Sequence, residues 1–211
     1  MLICMHSLQS KFRLAASSGA PAYQEYYTGC RVKKQFQEGK SARRGQFYLR
    51  GDGPVERPVK HPRESHAESV HILMPGDING DGRLFGGQLM QWIDIVAAVV
   101  ARRHSGRDVT TACIDRLEFL HPALVNSTLT LIGRITYVGR TSMEVRVDSF
   151  VEALSGERHL VNVAYLVMVA IDEKGNPAVV PALAPETAEE QALFEAGRER
   201  ARLRKARTAG A

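Results

Sequence analysis

From Gly87 to Arg103 the chain carries a single acid, Asp94, and no base until Arg102. Over this stretch Leu89, Trp92, Ile93, Val96, Val99 and Val100 recur at three- and four-residue steps. That spacing predicts an α-helix, roughly 25 Å long at about 1.5 Å per residue. Few surface helices are so apolar, so it is expected to be buried on most sides. The chain must therefore supply a large apolar surface to wrap it. Four runs rich in Val, Ile, Leu, Thr and Tyr follow: Val109–Leu120, Ser127–Tyr137, Met143–Ala153 and Arg158–Ile171. His121-Pro122, Val138-Gly139, Ser155-Gly156 and Lys174-Gly175-Asn176-Pro177 punctuate them, and the pattern reads as strands separated by turns. Glu144, Arg146 and Asp148 alternate with Val145 and Val147, which predicts one wet and one buried sheet face. Long strands around one buried helix make an α+β domain. Thr187-x-x-Glu190, with acids early and Arg198–Arg207 late, predicts a C-terminal helix opened by a capping box and aligned with its dipole.

A chain of 211 residues has room for one such domain and its tails. No apolar run reaches bilayer-spanning length, which argues against an integral membrane protein. Cys4, Cys30 and Cys113 form no CxxC pair and leave an odd thiol. That argues against a disulfide framework or a cysteine zinc site and points to a reducing, cytoplasmic location. The net charge of +5 divides unevenly: +7 in residues 1–66, −3 in 67–183 and +1 in 184–211. Residues 1–60 read as a disordered basic extension, 65–183 as the domain, and 184–211 as a C-terminal helix and tail. A solvated arm fits the basic excess better than nucleic-acid binding. The first 24 residues hold Lys11, Arg13 and several serines but no acid, a weak likeness to a transit peptide that would place the protein in the mitochondrial matrix.

Asp77-Ile78-Asn79-Gly80-Asp81-Gly82 opens like a calcium loop, but its twelfth position is Gln88 rather than a bidentate Glu, and Pro75-Gly76 would break the entering helix. Gly86-Gly87 opens the apolar helix. The free N–H groups there can hold an oxyanion, or the glycines can simply make the turn. Asp94 shares its helical face with Met90, Ala97, Ala98 and Ala101. A carboxylate in such surroundings needs a partner, which makes it a candidate for catalysis.

The strings Leu73–Gly87, Met90-Gln91-Trp92-Ile93-Asp94, Thr111-Ala112-Cys113-Ile114-Asp115, Val138–Val145 and Val179–Thr187 occur in this order. Together they resemble the acyl-CoA thioesterases of the hotdog fold, in the branch of brain and bacterial acyl-CoA hydrolases, over roughly residues 65–205. The resemblance implies a long central helix wrapped by an antiparallel sheet. It also implies a homodimer with sheets joined edge to edge, assembled into a trimer of dimers. The family's catalytic asparagine falls on Asn79 and its catalytic aspartate on Asp94, acting together across the dimer interface. Ile78 and Gly80 depart from the family's usual residues on either side of that asparagine.

A thioester carbonyl is electrophilic and its thiolate leaves readily, so this chemistry needs no metal and no cofactor; CoA enters as part of the substrate. Asp94 can act as general base toward water or attack directly. Asn79 can orient the water or hydrogen-bond the carbonyl, and the Gly87 N–H, beside Gly86, can hold the oxyanion. Arg140, Thr141 and Ser142 offer a guanidinium and two hydroxyls to the CoA phosphates. Two other classes compete. One is a hotdog hydratase or dehydratase, which needs an Asp/His pair; His71 and His104 are remote from Asn79 and Asp94 along the chain. The other is a non-catalytic acyl-CoA sensor or nucleic-acid-binding protein, which both catalytic residue types argue against. No membrane partner is expected. Chelator-treated protein is expected to release CoA thiol from acyl-CoA at the untreated rate. Loss of turnover with recovery on adding a divalent metal would overturn the metal-free chemistry.

Overall fold

A computed structural model describes residues 57–209; the reading of residues 1–56 as an extension lies outside that span. A two-residue strand, β1 (Val59–Lys60), and a 3₁₀ turn (Pro62–Ser65) lead into β2 (Ala67–Ile72). A second 3₁₀ turn (Pro75–Asp77) precedes α1 (Gly86–Ser105). Then come β3 (Asp108–Phe119), β4 (Thr128–Val138), β5 (Ser142–Glu152), β6 (Arg158–Ile171), β7 (Ala182–Leu183) and α2 (Ala188–Ala209). Five strands form one sheet in the order β2-β4-β5-β6-β3, each pair antiparallel. The four long strands read from the sequence are all present, to within one residue at each end. The folded unit also starts earlier than the composition change near Ser65. β1 pairs in parallel with β7, and the carbonyls of Pro58 and Lys60 accept from Ala182 and Ala184 at 2.7 and 3.0 Å. A strand of two residues has no period to read.

One face of α1 packs on the sheet, burying Leu89, Ile93, Val96, Ala97, Val100 and Ala101 against a core that includes Leu131, Val145, Val147, Leu166 and Met168. Each large aliphatic side chain buried there is worth about 1.5–3 kcal/mol. The helix lies so close to β4 that a Cβ on Gly133 would stand 2.6 Å from Val96 and 2.9 Å from Val100. Gly106, in the left-handed region at φ 65°, ends the helix and donates its N–H to Arg102 C=O at 2.8 Å. The helix is buried or half-buried around most of its circumference, as its apolar run predicts, but one strip is open, where Ile95 is 53% exposed. A single sheet covers a single face of a helix, so the strip of α1 opposite it, with Gln91, Ile95 and Arg102, is open in one chain.

The expected wet face of β5 is also corrected. Glu144 and Asp148 are each 1% exposed. α2 opens at its capping box, with Glu190 N–H donating to Thr187 Oγ1 and Thr187 N–H to Glu190 Oε2, both at 3.1 Å. It then crosses the outer face of the sheet. A Cβ on Gly197 would stand 2.6 Å from Tyr137 Cβ and 2.8 Å from Glu144 Oε1, so only glycine permits the approach. Charge pairing makes the burial tolerable. Glu144 accepts from Thr136, Arg200 and Arg204, and Asp148 from Arg146 at 2.8 Å. Alternation along β5 shows which residues share a face; it does not show that a helix some forty residues later covers it.

His104, in the last turn of α1, is fully buried. It sits between the Ser65 hydroxyl, 3.1 Å from Nδ1, and the Pro181 carbonyl, 3.2 Å from Nε2. With Nε2–H donating to the carbonyl, Nδ1 accepts from the hydroxyl and the ring is neutral. Burial pushes its pKa below the usual 6.5, against the pull of the Pro181 carbonyl. The unfolded chain thus binds the proton more readily than the native one. The stabilisation is complete above the unfolded pKa and is lost as pH falls through it. Thermal unfolding is expected to show a melting temperature that drops between pH 7 and pH 5, with a shallower slope in His104→Gln. Equal slopes for the two proteins would remove His104 from the acid sensitivity.

Candidate functional site

Two constellations lie at α1. The first is the loop before it. The Asn79 N–H donates to Arg83 C=O at 2.8 Å, and its side-chain Oδ1 accepts from the N–H groups of Asp81 and Arg83 at 3.0 and 3.1 Å. Asp77 closes the start of the loop, its Oδ2 accepting from Met74 N–H at 2.9 Å. With Oδ1 of Asn79 committed to backbone donors, the Nδ2 hydrogens are what the side chain has left to offer a ligand. Of the two uses open to Asn79, donation to a carbonyl oxygen is therefore the one its geometry favours.

Asn79 borders a cavity of about 310 Å³. Leu84, Leu89, Phe119, Leu120 and Val161 supply much of its wall, with Arg83 and His121 as the charged or titratable members. The volume lies at the lower end of the range of small-molecule sites, and an apolar wall with few polar groups is their usual make-up. His121 is a residue the sequence reading missed, since His121-Pro122 counted only as strand punctuation. Beside the cavity, α1 begins after Phe85 with no side-chain cap and no acid in its first turn. The first-turn N–H groups, including those of Gly86 and Gly87, thus have no partner of that kind. A Cβ on Gly87 would stand 2.5 Å from the Phe85 ring, so a larger residue there would push that ring aside.

The second constellation is further along the helix. Asp94 is half-buried, and its Oδ1 accepts a hydrogen bond of 2.5 Å from Thr111 Oγ1 on β3. Thr111 is a further residue the sequence reading missed as part of the site. It stood in a motif of the resemblance, but nothing in the linear order of residues shows that its hydroxyl meets a carboxylate seventeen positions earlier. No hydrogen bond among the described residues joins Asn79 to Asp94, and Asp94 does not line the Asn79 cavity.

Arg140 and Thr141 lie in the turn between β4 and β5, and Ser142 is the first residue of β5. The turn is built by backbone bonds from Gly139 to Ser142, Ala170 to Thr141 and Val180 to Arg140, at 2.7, 3.0 and 3.0 Å. The Arg140 side chain is exposed and makes no ion pair among the described residues. The turn meets β6 at Ala170, nine residues and roughly 30 Å along the strand from Val161 in the cavity wall. Thr111 pairs with Met168, near the same end of β6 as the turn. A single chain thus brings Asp94, Thr111 and the Arg140 turn toward one end of β6, and Asn79 with its cavity toward the other.

Residues 81–153 match the model of the thioesterase superfamily. An uncharacterized acyl-CoA thioester hydrolase of Bacillus subtilis is 40% identical over 146 residues, covering 69% of this chain and 85% of that one. A mouse cytosolic acyl coenzyme A thioester hydrolase is 32% identical over 168 residues; the match covers 75% of this chain but only 44% of the longer mouse protein. Among solved structures, a Staphylococcus aureus acyl-CoA hydrolase in complex with butyryl coenzyme A is 34% identical, with a TM-score of 0.69 over 72% of this chain and 94% of that chain. An apo-hexameric acyl-CoA thioesterase is 39% identical, with a TM-score of 0.69 over 72% and 98%. Alanine variants of the S. aureus enzyme have been solved at an asparagine, an aspartate fifteen residues later and a threonine seventeen residues after that. Asn79, Asp94 and Thr111 repeat this spacing.

Asp94→Asn keeps the volume and removes the base, and is expected to lower kcat for an acyl-CoA by about two or more orders of magnitude. Thr111→Val removes one hydrogen bond to a charged group and is expected to lower kcat roughly tenfold with little change in KM. Steady-state kinetics on the purified variants measures both; a Thr111→Val enzyme of unchanged kcat would show that the hydroxyl is incidental.

Proposed function

The chain belongs to the acyl-CoA thioester hydrolases of the thioesterase superfamily, and we propose that it hydrolyses fatty acyl-CoA to free fatty acid and CoA at a site shared between two protomers. The observation that carries this reading is the hydrogen bond from Thr111 to Asp94, made by two residues of an Asn–Asp–Thr set spaced as in the S. aureus enzyme. Thr111 holds one carboxylate oxygen of Asp94, and the other is free to take a proton from water or to attack the carbonyl itself. The Asn79 Nδ2 hydrogens and the Gly87 N–H receive the oxygen on which charge develops. When the tetrahedral intermediate collapses, the C–S bond breaks and the CoA thiolate leaves; attack by water gives the fatty acid directly, whereas attack by Asp94 gives a mixed anhydride that water then hydrolyses to the fatty acid and the free Asp94 carboxylate. No step calls on a metal or a cofactor.

The acyl chain occupies the apolar cavity beside Asn79, and Gly86 lets it approach the start of α1. The exposed guanidinium of Arg140, with the Thr141 and Ser142 hydroxyls, receives the CoA phosphates. Asn79 and Asp94 stand apart in one chain, so the working pair comes from two. The exposed Ile95 on the open strip of α1 supports such a dimer, and the hexameric relative supports a trimer of dimers. The reducing environment suggested by the cysteine pattern supports a cytoplasmic location. No helix among the described residues is long and apolar enough to cross a membrane. Within one chain the hydrogen-bond partner of Asp94 is the Thr111 hydroxyl rather than a histidine, which favours hydrolysis over a hydratase.

Release of free CoA thiol from a panel of acyl-CoAs tests the reaction, and failure on every chain length would refute it. The shared site has its own test. Mixing inactive Asp94→Asn and Asn79→Ala subunits is expected to restore activity, because a mixed dimer contains one site with both native groups. Mixed dimers verified by native mass spectrometry that recover no turnover would refute sharing.

A further inference from the structure

β3 is an edge strand of the sheet, and its pairing with β6 slips twice. The register passes from Thr111 to Cys113 and again from Ile114 to Arg116, leaving Ala112 and Asp115 as the two extra residues. Bulges of this kind bend a strand and re-aim its side chains. The first bulge directly follows Thr111, whose hydroxyl meets Asp94. The second is gripped from outside the sheet. Arg204 Nη1 donates to Asp115 Oδ2 at 2.7 Å, and Arg207 Nη2 to Oδ1 at 3.0 Å. Both carboxylate oxygens of Asp115 are therefore held by α2.

The grip is itself anchored. Arg204 Nη1 also donates to Glu144 Oε2 at 2.9 Å, and Glu144 is fully buried on β5. Arg200 donates to the same carboxylate through Nη2 at 2.7 Å and lies over the Tyr165 ring at 4.2 Å. Thr136 Oγ1 completes the set at 2.8 Å. Arg204 thus bridges a rigid central strand and a bulged edge strand. With the side chains of Arg204 and Asp115 only 17% and 12% exposed, water screens the pair far less than a surface salt bridge.

We propose that the Arg204–Asp115 pair is a positioning element of the active site. By clamping the second bulge of β3 to α2 and Glu144, it sets where β3 carries the Thr111 hydroxyl relative to Asp94. Neither residue touches the reacting atoms. Their effect on the reaction passes through Thr111, and α2 becomes part of the catalytic machinery rather than a cover on the sheet.

The proposal rests on the hydrolytic reading, and a double-mutant cycle separates the two. Kinetics with one acyl-CoA substrate are compared for wild type, Arg204→Met, Thr111→Val and the double variant. Arg204→Met is expected to lower kcat roughly tenfold, the scale of a sub-ångström misplacement, with KM nearly unchanged. Arg204→Lys should recover part of the loss. In the Thr111→Val background, Arg204→Met is expected to lower kcat no further, because the group it positions is gone. Effects of the two substitutions that multiply, or an Arg204→Met enzyme of normal kcat, would overturn the proposal while leaving the hydrolase reading intact. A wild-type protein inactive on all acyl-CoAs would instead refute the hydrolase reading. Should Arg204→Met fail to fold, Asp115→Asn, which keeps the side-chain volume, takes its place in the cycle with the same two outcomes.

Discussion

The packing of α1 on the five-stranded sheet is the constraint on which everything else depends. Gly133 lets the helix settle where any other residue would collide with Val96 and Val100. Interdigitated cores of this density tolerate little sliding. Once the apolar face of α1 is seated, its N-terminus is placed beside the Asn79 loop and Asp94 is placed against β3. The buried aliphatic side chains together contribute far more than one polar contact at about 0.5–1.5 kcal/mol. The hydrophobic face therefore positions the helix, and the Thr111–Asp94 bond then selects the orientation of one carboxylate.

The outer face of the sheet follows a different rule. Its contacts with α2 combine one close approach at Gly197 and one aromatic pair, Tyr137 with Phe194 at 5.3 Å, with a set of buried charges. Buried ion pairs add little net stability once desolvation is counted, but they are selective about geometry. Glu144 accepts from Thr136, Arg200 and Arg204, so α2 has few alternative seats on the sheet. The two faces thus divide the work: the inner one supplies most of the stabilisation, and the outer one fixes where the edge strand lies.

Much of the candidate site was legible along the chain. Asn79, Gly86, Gly87 and Asp94 lie within sixteen residues, on a loop and the first half of the helix it enters, so local pattern and family motif suffice to nominate them as candidates. Thr111 and His121 were not legible as site residues, because each reaches the site through strand pairing and the lie of β3 rather than through sequence proximity. The same holds for Glu144. Its alternation with Val145 placed it on the correct face, but its burial comes from a helix that begins at Ala188. The two-residue β1 was missed because its partner among the described residues, β7, is about 120 residues away.

The sequence by itself determined the α+β class, the long strands to within a residue, the apolar helix and the capped helix at the end. Each of these rests on a period of 2 or 3.6 residues, or on a cap, and such signals are complete within one element. Only the tertiary structure decided that Asp94 takes Thr111 as its partner and that Arg204 joins a buried strand to a bulged edge. These depend on register, bulge position and the approach distance between elements. None of those quantities is carried by a single segment, because each is set by how two separately formed surfaces exclude water and satisfy their polar groups when they meet.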